Sequence, residues 1–153
     1  MAKVKIPRRL PADPVDRGSL FTVRFALAIA LMLAGIAYLV YLTMVVNEPA
    51  PGGPAWMQDL GDWNFLVGFG LFFVGLIVSA HPATPLGRGR GVVVGMLGCF
   101  LVGLAWICVY YALAQDIADN VSPFAIFNDL NQKNLVVGIG FMAVGFVFAT
   151  RWE

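Results

Sequence analysis

Four stretches of the chain carry no charged side chain and are long enough to cross a bilayer: residues 25–47, 64–80, 91–115 and 134–150. Polar segments separate them. The first, residues 48–62, holds Pro49, Pro51, Gly52, Gly53 and Pro54, then turns amphipathic at Trp56-Met57-Gln58-Asp59-Leu60. The second carries Arg88 and Arg90, and the third runs over residues 116–133. This alternation predicts four apolar helices. The second and fourth sit near the lower limit of about 17 residues for a span. Leu60 and Trp63 would lengthen the second by a turn, with Trp56 and Trp63 at headgroup level.

The pattern is also a duplication. Asp59-Leu60, Asn64, Val67-Gly68, Gly70 and Val74-Gly75 recur as Asp129-Leu130, Asn134, Val137-Gly138, Gly140 and Val144-Gly145, an offset of 70. Leu33, Gly35, Ala37 and Tyr38 align with Leu101, Gly103, Ala105 and Trp106 at an offset of 68. Each unit is therefore span, loop, span, and each returns the chain to the side it left. The fold class expected is an all-α membrane protein, with four transmembrane helices as two parallel two-helix repeats about an axis along the membrane normal. The expected divisions are a flexible basic tail (1–20), a first hairpin (21–82), a linker (83–90) and a second hairpin (91–153).

Composition agrees. The chain of 153 residues is 59% hydrophobic and 12% charged, against about 25% charged in a typical soluble domain. Four apolar helices in so short a chain would leave nothing to cover them in water. Of the ten lysines and arginines, only Lys133 falls in the loops after the first and third spans. That bias predicts cytoplasmic termini and a cytoplasmic central loop. The basic start followed by a long apolar run reads as an uncleaved signal anchor. Lys3, Lys5, Arg8 and Arg9 would lie against anionic lipid.

Candidate chemistry is sparse. No ionisable side chain lies within a span, which argues against proton coupling or intramembrane catalysis. Only Thr43, Ser79 and, at the last position of the fourth stretch, Thr150 offer non-phenolic hydroxyls there. His81 is a lone histidine and makes no metal-ligand spacing. Asp116 and Asp119 read as solvated loop carboxylates, and Asn120-Val-Ser122 as a chance sequon. Cys99 and Cys108 fall on opposite faces of one helix. No cofactor, metal or nucleic acid is implied. Asp62 is placed to cap the second span, and Asn131 or Asn134 the fourth. Small-xxx-small pairs at Gly91/Gly95, Gly75/Ser79, Gly145/Ala149 and Ala26/Ala30/Ala34 predict close helix packing.

Three segments carry a family resemblance. Gly61-Asp-Trp63-Asn64 with the following Gly68-Phe-Gly70-Leu-Phe-Phe-Val-Gly75 resembles the second span of CrgA, a small actinobacterial cell-division membrane protein. Gly138-Ile-Gly140 through Gly145 to Thr150-Arg151-Trp152 is similar to that same span and its Arg-Trp ending. Gly103-Leu-Ala-Trp106 through Tyr110-Tyr111 resembles the first span. The family pattern has one copy. Here the opening motif stays intact only in copy one and the ending only in copy two. The resemblance implies a non-enzymatic division scaffold. It would touch the tubulin-like division protein through its tail, and septal peptidoglycan-synthesis proteins within the bilayer. Gly68, Gly70, Gly75, Gly138, Gly140, Gly145, Trp56, Trp63, Asn64, Arg151 and Trp152 are the expected packing or partner residues. The alternatives are an accessory subunit of another membrane complex, such as a respiratory assembly, and, ranked lower, a small channel.

Overall fold

The computed structural model describes residues 22–46, 52–114 and 125–151. The tail, Glu48, Pro49, Pro51, Asp116, Asp119, Asn120-Val-Ser122 and Trp152 lie outside the described residues. Within them all regular structure is helical. Helix α1 (Val23–Tyr41) continues into a π-turn, Leu42–Val46. Short α2 (Ala55–Leu60) leads into α3 (Trp63–Ser79). Then α4 (Arg90–Val109) runs into a second π-turn, Tyr110–Ala114, and short α5 (Ala125–Leu130) leads into α6 (Lys133–Ala149). The duplication is thus reproduced element by element, π-turns included.

Two helices are long and apolar enough to cross a membrane, Val23–Val46 and Arg90–Ala112, while α3 and α6 are shorter apolar helices. Each long helix begins near the charged residue (Arg24, Arg90) that bounds its apolar run. A long basic side chain there can reach polar surroundings while its stem stays apolar.

Glycines set the packing of each hairpin. A Cβ on Gly35 of α1 would stand 2.7 Å from the Gly68 carbonyl oxygen of α3. A Cβ on Gly103 of α4 would stand 2.6 Å from that of Gly138 in α6. The backbones touch at both places, which only glycine permits. Leu39 covers Gly68, and Ile107, its counterpart at offset 68, covers Gly138. The expected alanine stripe is not used: Ala26, Ala30 and Ala34 are exposed, and α1 buries Ala28, Gly35 and Leu39 instead. Gly35 decides this, because the face that permits the closest backbone approach wins the contact. Gly91 and Gly95 also part company. Gly91 abuts the Pro85 carbonyl, while Gly95 receives the Phe148 ring.

Helices α3 and α6 join the hairpins. They run in the same direction: Asp62 and Lys133 pair at their first turns, and Phe73 meets Phe141 further along, at 5.1 Å between ring centroids. One core draws on both copies, with Leu39, Leu42, Met57, Phe65 and Phe69 from the first and Leu130, Val137 and Phe141 from the second. The contact is not reciprocal, so α3 and α6 do not meet across a two-fold axis. Phe69 is buried (8% exposed), yet its counterpart Ile139 is 53% exposed. Val144 is buried (3%), yet Val74 is 50% exposed. At a two-fold contact, equivalent positions would be buried together. Here α3 and α6 present different faces to each other.

The segment between the hairpins folds around Thr84, which is fully buried. Its hydroxyl donates to the carbonyl oxygens of Ser79 and His81 and accepts from the Gly87 amide. Gly87 lies against the His81 carbonyl, where a side chain has no room.

Candidate functional site

A buried asparagine holds the turn between each short helix and the span that follows. In copy one the Asn64 amide donates to the carbonyls of Met57 (2.7 Å) and Gly61 (2.8 Å). Its Oδ1 accepts from the Tyr38 hydroxyl at 2.6 Å. In copy two the Asn134 amide donates to Phe127 and Asn131 carbonyls, both at 2.7 Å. Its Oδ1 accepts from the Trp106 indole N–H at 3.2 Å. Both asparagines are essentially inaccessible. A buried amide is tolerated when its donors and acceptor are used, and here each is.

These contacts correct the expected caps. Neither Asp62 nor Gln132, the N-cap residues of α3 and α6, makes a side-chain cap hydrogen bond. Asn64 and Asn134 point back instead: each amide reaches a carbonyl of the preceding short helix, Met57 or Phe127, and adds a second donor to the turn carbonyl, Gly61 or Asn131, that already accepts from the asparagine's own backbone N–H. The turn residue between has a left-handed backbone, Gly61 at φ +50° and Asn131 at φ +46°. Asparagine tolerates a positive φ better than most side chains, and Asn131 stands where copy one has Gly61. Asp62 is used elsewhere, in the ion pair with Lys133.

Beside that ion pair lies a groove of about 450 Å³. Trp63, Leu66, Gly70 and Phe73 of α3 form one wall, and Val136 and Val137 of α6 the other. Its lip carries Asp62 and Lys133. A Cβ on Gly70 would meet nothing within 4 Å, whereas one on Gly140 would meet the Phe73 ring at 2.6 Å. The two glycines are equivalent in the repeat and different in the fold.

The expected residues therefore scatter. Gly68, Gly75, Gly138 and Gly145 lie at contacts within the hairpins, and Gly140 lies at the contact between them. Gly70 and Trp63 line the groove. Trp56 and Trp63 are 54% and 68% exposed at the same end of the bundle. Arg151 lies at the other end, beside Pro82, Arg90 and Thr150. His81 sits in the central segment with the Arg24 guanidinium 2.6 Å from its Nε2. Cys99 is buried and Cys108 exposed. Sequence reasoning aligned Tyr38 with Trp106 but missed their role as donors to the asparagines. Their shared position, with a polar hydrogen in both copies, was the available signal. The Asp62–Lys133 pair was missed because it joins the two copies at non-equivalent positions.

Comparison with known proteins gives a consistent result. The sequence profile of the family described as cell division protein CrgA matches residues 7–81 and again residues 85–153. The cell division protein CrgA of Streptomyces avermitilis is 43% identical over 58 residues, covering 38% of this chain and 60% of that protein. That of a Mycobacterium species is 38% identical over 56 residues, covering 35% and 60%. That of Corynebacterium aurimucosum is 45% identical over 51 residues, covering 33% and 55%. The chain thus spans 60% or less of the length of these relatives. No solved structure matches.

Proposed function

The chain belongs to the CrgA family of cell division proteins, with the family sequence present twice, and on that premise we propose that it is a non-enzymatic membrane adaptor of cell division. The observation that carries this reading is the double match, joined to the uncovered apolar faces of the bundle. Leu33, Ile36 and Val40 of α1, and Leu97, Leu101 and Leu104 of α4, are all exposed. Contiguous apolar surface of this kind belongs against lipid or partner helices.

In this reading all four apolar helices cross the bilayer. Helices α3 and α6 have 17 residues each, about 25 Å at 1.5 Å per residue. Interfacial α2 and α5 and the tryptophans around them make up the rest of the roughly 30 Å hydrocarbon thickness. The termini and the segment 83–90 face the cytoplasm, as the distribution of lysine and arginine favours. Division and septal peptidoglycan-synthesis proteins are the membrane partners. The tail (1–20) serves the tubulin-like division protein and anionic lipid. Gly70, Trp56, Trp63 and Arg151 are the accessible residues proposed to meet lipid or partner spans, Trp152, outside the described residues, is proposed with them, and Gly68, Gly75, Gly138, Gly140, Gly145 and Asn64 maintain the scaffold that presents them.

Crosslinking and affinity purification of the tagged chain from native membranes tests the proposal. Recovery of division proteins, with septal fluorescence of the tagged chain, is expected. Co-migration with haem-bearing respiratory subunits, without septal enrichment, would replace it with the accessory-subunit reading.

A further inference from the structure

We propose that the groove between α3 and α6 is a seat for one phospholipid, its acyl chain between the two helices and a zwitterionic phosphoethanolamine headgroup at Asp62 and Lys133. The inference rests on the membrane reading above and assigns a ligand class to one surface of that scaffold.

Length selects the occupant. The groove follows α3 from Trp63 to Phe73, ten residues or about 15 Å along the axis. That is half the hydrocarbon thickness of about 30 Å, the depth of one leaflet. A partner helix that crosses the membrane would need a groove about twice as long. An acyl chain ends where this groove ends, against the Phe73 ring.

The lining selects an apolar occupant. Trp63, Phe65, Leu66, Phe69 and Val136 present carbon surface, and Gly70 leaves a notch that no atom of the described residues enters. Apolar recesses stay dry. An empty one forfeits dispersion contacts on every wall. In a bilayer the molecule at hand to fill it is lipid.

The lip selects the headgroup. Lys133 and Asp62 put one cation and one anion side by side, both substantially exposed. An exposed ion pair is held weakly, so a dipolar headgroup exchanges with it readily. The phosphate then meets the Lys133 ammonium, and the headgroup ammonium meets the Asp62 carboxylate. A purely anionic headgroup would gain Lys133 but face Asp62.

Native mass spectrometry of the full chain, released from vesicles of equal phosphatidylethanolamine and phosphatidylglycerol, tests the seat. One retained lipid per chain is expected, with phosphatidylethanolamine favoured at least threefold. Gly70→Leu fills the notch and should lower the bound fraction at least fivefold. Gly98→Leu is the matched control. Its Cβ also meets nothing within 4 Å, and it lies away from the groove, so binding should stay as in the wild type. Asp62→Asn removes only the anion and should move the preference toward phosphatidylglycerol. Equal retention in the wild type and Gly70→Leu overturns the proposal, as does retention with no headgroup preference. Crosslinking of a Leu66→Cys chain to another protein instead of lipid also overturns it, in favour of a partner helix. Labelling of a cysteine at residue 85 reads the topology separately. Exposure there to the outside would sink the membrane orientation without touching the lipid count.

Discussion

The two hairpins are built alike and used differently. Inside each, a glycine backbone contact, an asparagine clasp and a left-handed turn recur at the same offsets. Between them the likeness stops: α3 contributes Phe65, Phe69 and Phe73, and α6 contributes Val137, Phe141 and Val144. These sets occupy different positions of the repeat. Features that make a hairpin were kept in both copies, and those that join hairpins diverged. A head-to-tail contact demands this, because each copy then needs only one of the two complementary faces. Each copy also leaves uncovered the face that its sister buries.

The contrast can be broken at three depths. The largest effect is expected where backbones touch. Gly35→Leu and Gly103→Leu should each cost about 3 kcal/mol, the upper end for overpacking, because carbonyl oxygens cannot swing aside as side chains do. Equilibrium unfolding in micelles would measure it. A loss confined to one copy would break the equivalence of the hairpins. Next come the clasps. Asn64→Leu and Asn134→Leu each leave one aromatic donor, the Tyr38 hydroxyl or the Trp106 N–H, without its acceptor and take one of two donors from the turn carbonyl, for a cost of about 2 kcal/mol set by unsatisfied polar groups near the interface. The loss should be greater for Asn64, whose third bond is 2.6 Å against 3.2 Å. The reverse order in paired melting curves would show that the aromatic donors carry packing rather than hydrogen bonding. The smallest effect separates the copies most sharply. Gly140→Leu collides with the Phe73 ring and should cost about 1 kcal/mol, since a ring can shift. Gly70→Leu should leave stability unchanged, and equal losses would mean that the groove is closed.

The limits of the four apolar helices, π-turns included, were legible to within about two residues because absence of charge over a long window is a local property. The duplication was legible for the same reason. The helix faces were less so. Ala26, Ala30 and Ala34 satisfy the small-residue spacing as well as Ala28 and Gly35 do. In a helix that is apolar all round, no polar stripe marks the outside. The clasp was half legible: Asn64 and Asn134 stood out as polar residues at the start of each apolar run, but a capping role for them was expected in one copy only, and in the opposite direction. Asp62 shows why. A side chain next to a helix start is available both to its own helix and to anything that approaches from elsewhere, and Lys133 approaches from the other copy.

By itself the sequence determined an all-helical chain, doubled, with family identity in both halves and charge held outside its apolar segments. Those follow from residue type and spacing along one dimension. Which face of α3 meets which face of α6, which of two equivalent glycines opens onto a groove, and which acid finds which base were decided only when the hairpins came together. Apolar helices have many faces of nearly equal chemistry. Shape complementarity between distant segments, rather than any local preference, selects among them.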